Sequence, residues 1–202
     1  MAVGYGADAL GFLVGLKSPS PDSIDEGLAA EIVAALPPFV SSVLVTQLTS
    51  PDEVVGLAMR IGVSTIQLHG DVTPEQAGLI KQQLPNVKIC RGIHVTGEES
   101  IAMAKQYASV VDAVLLDTIS HETGQSGGTG RTHDWSISRK IVEALDIPVI
   151  LAGGLTPENV ATAIQAVRPY AVDVNSGTKG PDGLKDPARL KAFIDGAKGA
   201  GE

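Results

Sequence analysis

Asp117 is the residue of this sequence that is best placed to move a proton. It ends a short stretch that is otherwise apolar, Ala113-Val114-Leu115-Leu116. A carboxylate at the end of a buried strand can act as a general acid or base, although aspartates also occur there as turn or helix-cap residues. We favour proton transfer, because barrel enzymes carry their catalytic groups at the carboxyl ends of the strands.

Two glycine-containing loops have the composition of a phosphate site. Gly153 and Gly154 follow an apolar run and precede a proline-started helix, and Ser176 and Gly177 follow the next apolar run. Glycine lets backbone N–H groups approach an anion closely, and the N-terminus of a helix favours negative charge. The glycines could instead only form tight turns. We predict that these four residues bind one phosphate, since barrels place such sites after their last strands.

Polar residues at the ends of other apolar runs are candidates for substrate contacts. These candidates are Gln67, His69 and Asp173. Each alternates in direction with an apolar neighbour along a strand, although His69 could equally be a rim histidine without such a role. The histidines at 94, 121 and 133 are scattered singly, which is typical of surface or loop positions. No spacing of His, Cys, Asp or Glu indicates a metal site.

The elements that would position these residues alternate along the whole chain. Seven short runs rich in Val, Ile and Leu predict strands covered on both faces: residues 9–14, 42–46, 65–68, 87–91, 113–117, 148–152 and 171–174. Amphipathic stretches separate them, and several begin with a cap residue followed by proline: Ser50-Pro51, Thr73-Pro74, Thr156-Pro157 and Asp186-Pro187. This alternation predicts a single α/β domain over residues 1–202 with a parallel sheet.

Two α/β architectures fit this alternation. An open doubly wound sheet usually carries a glycine-rich fingerprint after its first strand, but here that position reads Gly15-Leu16-Lys17-Ser18-Pro19. The glycine clusters come after the last strands instead, which is typical of a (β/α)8 TIM barrel. We therefore predict a (β/α)8 barrel in which seven strands are readable and the first strand is missing.

The composition excludes several classes of function. Acidic residues outnumber basic ones by 23 to 15, and aromatic residues make up only 3%. Both features argue against binding to nucleic acid. No apolar run reaches about 18 residues, so no membrane span is expected. The N-terminus lacks the features of a signal peptide, and the single cysteine excludes an internal disulfide. We expect a cytoplasmic protein without a metal or cofactor.

Four segments of this sequence resemble the motifs of the phosphoribosylanthranilate isomerase family of tryptophan biosynthesis. They are Gln67-Leu68-His69-Gly70, Leu115-Leu116-Asp117-Thr118 with Gly127-Gly128-Thr129-Gly130 downstream, the run from Leu151 to Val160, and Val172-Asp173-Val174-Asn175-Ser176-Gly177. The resemblance runs from about Gly6 to Phe193. It implies a small phosphorylated substrate, the rearrangement of an aminoaldose to an aminoketose, and Asp117 as the acid that protonates the ribose ring oxygen. It also implies that Gly127 and Gly128 belong to a mobile loop over the substrate.

Two departures from the family pattern concern residues with a role in the reaction. The family's first strand carries a Lys-Ile-Cys-Gly-like motif whose cysteine is the general base, and this sequence has no counterpart of that strand. Cys90 belongs to a strand in the middle of the order, so we predict a buried core cysteine and leave the base unidentified. Ser20 stands where the family usually has an arginine that binds the anthranilate carboxylate.

These departures leave alternatives to the isomerase. One is a family paralogue that acts on another phosphorylated substrate, and another is a non-catalytic protein that binds a phosphate ligand and has lost its base. A doubly wound nucleotide binder ranks last. A barrel without its first strand would leave two sheet edges unpaired. A start of the chain further upstream, a rearranged N-terminal segment or a homodimer could cover them.

Overall fold

The structure is a computed structural model that describes residues 1–118 and 132–200, in which strands and helices alternate. The strands are β1 (Ala9–Leu13), β2 (Ser41–Thr46), β3 (Thr65–Leu68), β4 (Lys88–His94), β5 (Ala113–Asp117), β6 (Val149–Leu151) and β7 (Ala171–Val172). The helices are α1 (Glu26–Ala34), α2 (Pro51–Ile61), α3 (Pro74–Gln83), α4 (Glu99–Tyr107), α5 (Trp135–Ala144), α6 (Val160–Val167) and α7 (Pro187–Gly199). All seven predicted strands are present. The main differences are that β4 continues to His94 and β7 ends at Val172.

The strands form a sheet whose spatial order follows the chain, from β1 to β7. The pairs within β1–β4 and within β5–β7 are parallel. Parallel neighbours need a crossover connection, which the intervening helices supply. A doubly wound sheet reverses its strand order at a switch point, so the consecutive order agrees with the predicted barrel topology.

The chain groups into two compact units. The β1–β4 unit comprises Ala7–Gly92 and Ser109–Ala113. The β5–β7 unit comprises Met1–Gly6, Ile93–Ala108 and the described part of Val114–Glu202. The single domain predicted over residues 1–202 stays a prediction.

In the β1–β4 unit, alternating strand residues meet the apolar faces of helices. Leu44 and Ile66 of the sheet and Ile80 of α3 are completely buried, and each such side chain stabilises the fold by roughly 1.5–3 kcal/mol. Helix α3 begins with a capping box, in which Thr73 and Gln76 satisfy each other's backbone N–H groups. Helix α2 begins at Pro51 as predicted, but the Ser50 side chain makes no cap hydrogen bond.

In the β5–β7 unit, α4, α5, α6 and α7 pack in series. Leu116, Leu151 and Ile141 form completely buried parts of the core. Helix α7 begins at Pro187, and the Asp186 side chain accepts the N–H of Arg189, as its cap-then-proline sequence predicts. Among the described residues, no helix combines the length and apolarity needed to cross a bilayer.

Candidate active site

Strand β5 places Asp117 at its carboxyl end in the β5–β7 unit. Val114, Leu115 and Leu116 before it are buried, and Asp117 itself is only 8% exposed. Its Oδ1 accepts the backbone N–H of Thr118 at 2.7 Å, and its carbonyl accepts the N–H of Val95 at 3.0 Å. Burial raises the pKa of Asp117, against smaller opposing effects of the Thr118 N–H and the charge of His94. The carboxyl therefore keeps its proton to higher pH than a surface aspartate does.

A second carboxyl, that of Asp173, feels the charge of Asp117. Its backbone N–H donates to the Leu151 carbonyl at 2.9 Å. Burial among protein atoms, and then the Asp117 charge, raise the pKa of Asp173 to about 6, while the charge of Lys185 lowers it. Asp173 is exposed to solvent, so its desolvation is partial. The two carboxyls titrate as a pair that binds one proton where isolated aspartates are ionised.

Gly153 brings the loop after β6 into contact with the end of β5. Its φ is +79°, and a Cβ atom there would lie 2.3 Å from the Thr118 hydroxyl oxygen and 3.0 Å from Asp117 Oδ1. Only glycine fits both this left-handed backbone and the available space. Gly154 also has a positive φ, of +68°. The predicted acid and the first predicted phosphate loop therefore touch.

The loop after β7 packs against the loop after β6. Ser176–Thr178 form a short 3-10 turn, and a Cβ atom on Gly177 would lie 1.8 Å from the Leu155 carbonyl oxygen. Arg189 of α7 binds this turn, because its Nε and Nη2 donate to the Gly177 carbonyl at 3.2 and 3.0 Å. The four predicted phosphate residues thus lie on two loops in direct contact.

The Asn159 side chain makes two hydrogen bonds within the loop after β6. Its Oδ1 accepts the N–H of Thr156 at 2.8 Å, and its Nδ2 donates to the Gly154 carbonyl at 3.0 Å. Because the side chain is used in this way, it makes no cap bond, and α6 begins at Val160. The prediction of a helix that starts at Pro157 is wrong, since residues 157–159 form a turn. Loop amides, rather than those of a helical first turn, therefore follow Gly154.

Sequence reasoning gave no role to two histidines that lie in the same unit as the acid. His133 Nδ1 lies 3.0 Å from the Thr118 hydroxyl, and its Nε2 lies 2.6 Å from the Ser138 hydroxyl. Burial lowers the pKa of His133 to about 4, so the ring is neutral near pH 7. His94, at the end of β4, acts through its charge on Asp117. The only sequence signal for His133 was its position directly before the α5 cap.

Gln67 and His69 lie in the β1–β4 unit, at the end of β3. Gln67 is 8% exposed and is in register with Cys90 of β4, which is buried as predicted. The His69 N–H donates to the Thr46 carbonyl at 2.9 Å. Burial, and then the charge of Arg91, lower the pKa of His69. Both residues therefore offer neutral polar groups near pH 7.

The remaining predicted residues add less to the site. Gly127 and Gly128 lie outside the described residues. The Ser20 hydroxyl accepts the N–H of Asp22 at 3.2 Å, so it supports its own turn after β1. In the part of the chain that the structure describes, no cluster of three or more His, Cys, Asp or Glu could hold a metal ion.

The chain is similar to known isomerases over nearly its whole length. The family model for N-(5'phosphoribosyl)anthranilate (PRA) isomerase matches residues 11–196. The chain is 48% identical to N-(5'-phosphoribosyl)anthranilate isomerase 2 of Methanosarcina mazei, over 98% of this chain and 88% of that protein.

Solved structures of phosphoribosyl anthranilate isomerases have a similar fold. One, in complex with reduced 1-(o-carboxyphenylamino)-1-deoxyribulose 5-phosphate, has a TM-score of 0.81 at 33% identity over 98% of this chain and 91% of its own. Another, of monomers generated from the dimeric enzyme of Thermotoga maritima, has a TM-score of 0.81 at 32% identity, with the same coverage. These structures confirm the predicted fold class.

Proposed function

Because this chain belongs to the phosphoribosylanthranilate isomerase family, we propose that it converts phosphoribosylanthranilate, an aminoaldose phosphate, into the aminoketose phosphate by an Amadori rearrangement. One observation supports this assignment at the site. Gly153 packs against Thr118 and Asp117, which puts a proton-holding carboxyl beside a loop suited to phosphate. A sugar phosphate bound by that loop would present its ring to the carboxyl.

Asp117 is the general acid in this proposal. Its proton goes to the ring oxygen, the C1–O bond breaks, and the anthranilate nitrogen supplies the electron pair of the new bond to C1. A base then removes the C2 proton, and the resulting enaminol takes up a proton at C1 while its C2 hydroxyl loses one, which gives the ketone. The base is not assigned to any described residue.

Asp173 supports the acid by its charge and is assigned to substrate binding. Two neighbouring carboxyls cannot both ionise without a large repulsion. The charge of Asp117 raises the pKa of Asp173, and because this interaction is reciprocal, the pair holds a proton to higher pH than either carboxyl would alone. Because Asp173 is exposed to solvent, a sugar hydroxyl can reach its carboxylate and donate to it.

The phosphate is assigned to Gly153, Gly154, Ser176 and Gly177. Their backbone N–H groups and the Ser176 hydroxyl are the donors of this site. Such a site needs no excess of basic residues, which suits a chain of formal net charge −8.

Four further residues are assigned to substrate binding on their motifs. They are Gln67, His69, Gly127 and Gly128. The amide of Gln67 and the neutral ring of His69 could bind a hydroxyl or carboxylate of the substrate.

We further propose that the protein is a homodimer. The relative from Thermotoga maritima is described as dimeric. Among the described residues, β1 and β7 stand at the two ends of the sheet order, and association is one way to cover such strand edges.

A second candidate is an isomerase for another phosphorylated aminoaldose. The observation in its favour is Ser20, whose hydroxyl binds its own turn and cannot replace the paired donors of an arginine to a carboxylate. Here the phosphate loops and Asp117 keep their roles, and only the non-phosphate half of the substrate differs.

Turnover of phosphoribosylanthranilate by the wild-type chain and by Asp117→Asn tests the proposal. Asparagine keeps the shape of the side chain but cannot deliver a proton, so kcat should fall by about a hundredfold or more. Affinity for the reduced deoxyribulose 5-phosphate analogue should change little. Asp195→Asn, which removes an exposed carboxyl of α7 that pairs with Lys191, is the matched control.

The outcomes separate the candidates. Wild-type turnover by Asp117→Asn would contradict the acid assignment. Binding of the analogue without any turnover of phosphoribosylanthranilate by the wild-type chain would favour the second candidate or a protein that only binds phosphate ligands.

A further inference from the structure

Lys185 contacts the loop that contains Ser176 and Gly177, two of the four residues of the proposed phosphate site. Its Nζ donates to the Asn175 carbonyl at 2.5 Å, to Asn175 Oδ1 at 2.9 Å and to the Thr178 hydroxyl at 3.3 Å. Thr178 is completely buried, and its hydroxyl in turn donates to the Asn175 carbonyl at 3.2 Å. One ammonium group thus binds both ends of the segment 175–178.

A small hairpin returns Lys185 to this segment. Lys179 and Lys185 form an antiparallel bridge, and the Gly180 N–H donates to the Leu184 carbonyl at 2.8 Å. The fold therefore fixes the backbone from which the lysine extends.

The backbone at Asn175 does not continue a regular helix or strand. Its φ of −114° and ψ of −82° lie outside the regular helical and strand regions. The Asn175 carbonyl, held by Lys185 and Thr178, fixes this residue directly before Ser176 and Gly177. The orientation of the Ser176 and Gly177 N–H groups therefore depends on the backbone conformation of Asn175.

Lys185 and Arg189 both contact this loop, and they differ in their other partners. Arg189 binds the Gly177 carbonyl but also pairs with the exposed carboxylate of Glu158. Lys185 acts electrostatically on Asp173, whose pKa it lowers. Lys185 therefore joins the phosphate loop to the carboxyl pair by contact and by charge.

We propose that Lys185 is a positioning residue that holds the segment 175–178 in the conformation that receives the substrate phosphate. This inference rests on the proposed function. Lys185 acts through the loop, because its Nζ is directed at Asn175 and Thr178, and its charge makes the neighbourhood more favourable for an anion.

The test uses Lys185→Met, which keeps the length of the side chain and removes its charge and donors. The probes are the reduced deoxyribulose 5-phosphate analogue and inorganic phosphate as its competitor, measured by calorimetry. Loss of charge-assisted hydrogen bonds that order the loop should raise the Kd of the analogue about tenfold. Lys191→Met removes the same charge from the exposed face of α7 and should leave the Kd within about twofold.

A pH profile separates positioning from a purely structural role. Asp173 is faced by Asp117 from β5 and by Lys185, and Asp117 is faced by His94 from β4. Without the lysine charge, the pKa of the carboxyl pair should rise, so the alkaline limb of kcat/KM should move to higher pH. A variant that only loosens the fold would lower the melting temperature without moving this limb. Lys185→Arg should restore the limb and recover part of the affinity.

Each result decides the inference. Analogue binding by Lys185→Met within twofold of the wild-type Kd would overturn it, as would an unchanged alkaline limb. If Lys185→Met does not fold, Thr178→Val removes the buried hydroxyl of the same network and should weaken analogue binding in the same direction. Analogue binding by the wild-type chain without isomerase activity would count against the proposed function alone, because the Lys185 comparison is made on binding.

Discussion

At the scale of single residues, the central feature is the pair of carboxyls of Asp117 and Asp173, both of which have a raised pKa. Asp117 is buried at a strand end, and Asp173 lies where solvent and the Asp117 charge both reach it. The neutral histidines 69 and 133 add no positive charge near pH 7. The chemistry of the site therefore depends on which carboxyl holds the shared proton.

The pH dependence of turnover should report this pair. The acid must be protonated to act, so kcat/KM should fall as the pH rises through the raised pKa of the pair, which is about 6 at Asp173. Asp173→Asn removes a negative charge that favours the protonated acid, so its alkaline limb should lie at lower pH. The shift is opposite in sign to that expected for Lys185→Met. The same limb in Asp173→Asn and the wild-type protein would show that the two carboxyls do not interact.

At the scale of elements, the site depends on two loops that succeed strands β6 and β7 and touch each other. Gly177 lies against the Leu155 carbonyl, and Gly153 lies against the hydroxyl and the backbone nitrogen of Thr118. Neither contact leaves room for a side chain. Both positions must therefore be glycine for the two loops to pack in this way.

Gly153→Ala should damage the site far more than the fold. The positive φ costs roughly 1–2 kcal/mol for a residue with a Cβ, and the new methyl group would press on the Thr118 hydroxyl and Asp117. Displacement of the acid by a fraction of an ångström or more should lower kcat/KM by about a hundredfold. Steady-state kinetics and thermal unfolding measure the two effects.

Gly62→Ala is the matched control for that variant. Gly62 has an almost identical φ of +78°, but a Cβ atom there would meet nothing within 4 Å. It should show a comparable loss of stability and normal kinetics. Equal activity losses in both variants would mean that backbone strain, rather than contact with the acid, is responsible.

At the scale of the whole molecule, the strand order determines which strands lie at the edges of the sheet. β1 and β7 end the sheet order among the described residues, and unpaired strand edges favour association. Sedimentation velocity over a range of protein concentrations should show a dimer that dissociates on dilution or persists throughout. A monomer at every concentration would contradict the proposed homodimer.

The sequence by itself determined the alternation of strands and helices, most strand bounds and the starts of α2, α3 and α7. Those features follow from short-range physics: apolar runs such as 113–116, and caps such as Thr73 and Asp186, act within a few residues. The motifs also named the family, and with it Asp117 and the two glycine-containing loops. The Thr156-Pro157 pair led to a wrong prediction of where α6 begins. A cap-then-proline signal cannot reveal that the Asn159 side chain binds the Gly154 carbonyl.

Only the tertiary structure decided which of these groups act on one another. The charge coupling of Asp117 with Asp173, the bond of His133 to Thr118 and the reach of Lys185 to Asn175 join residues from different elements. Hydrogen bonds act over about 3 Å, and charges at the edge of a fold over about a Debye length. Such interactions depend on distances in space, which spacing along the chain does not fix.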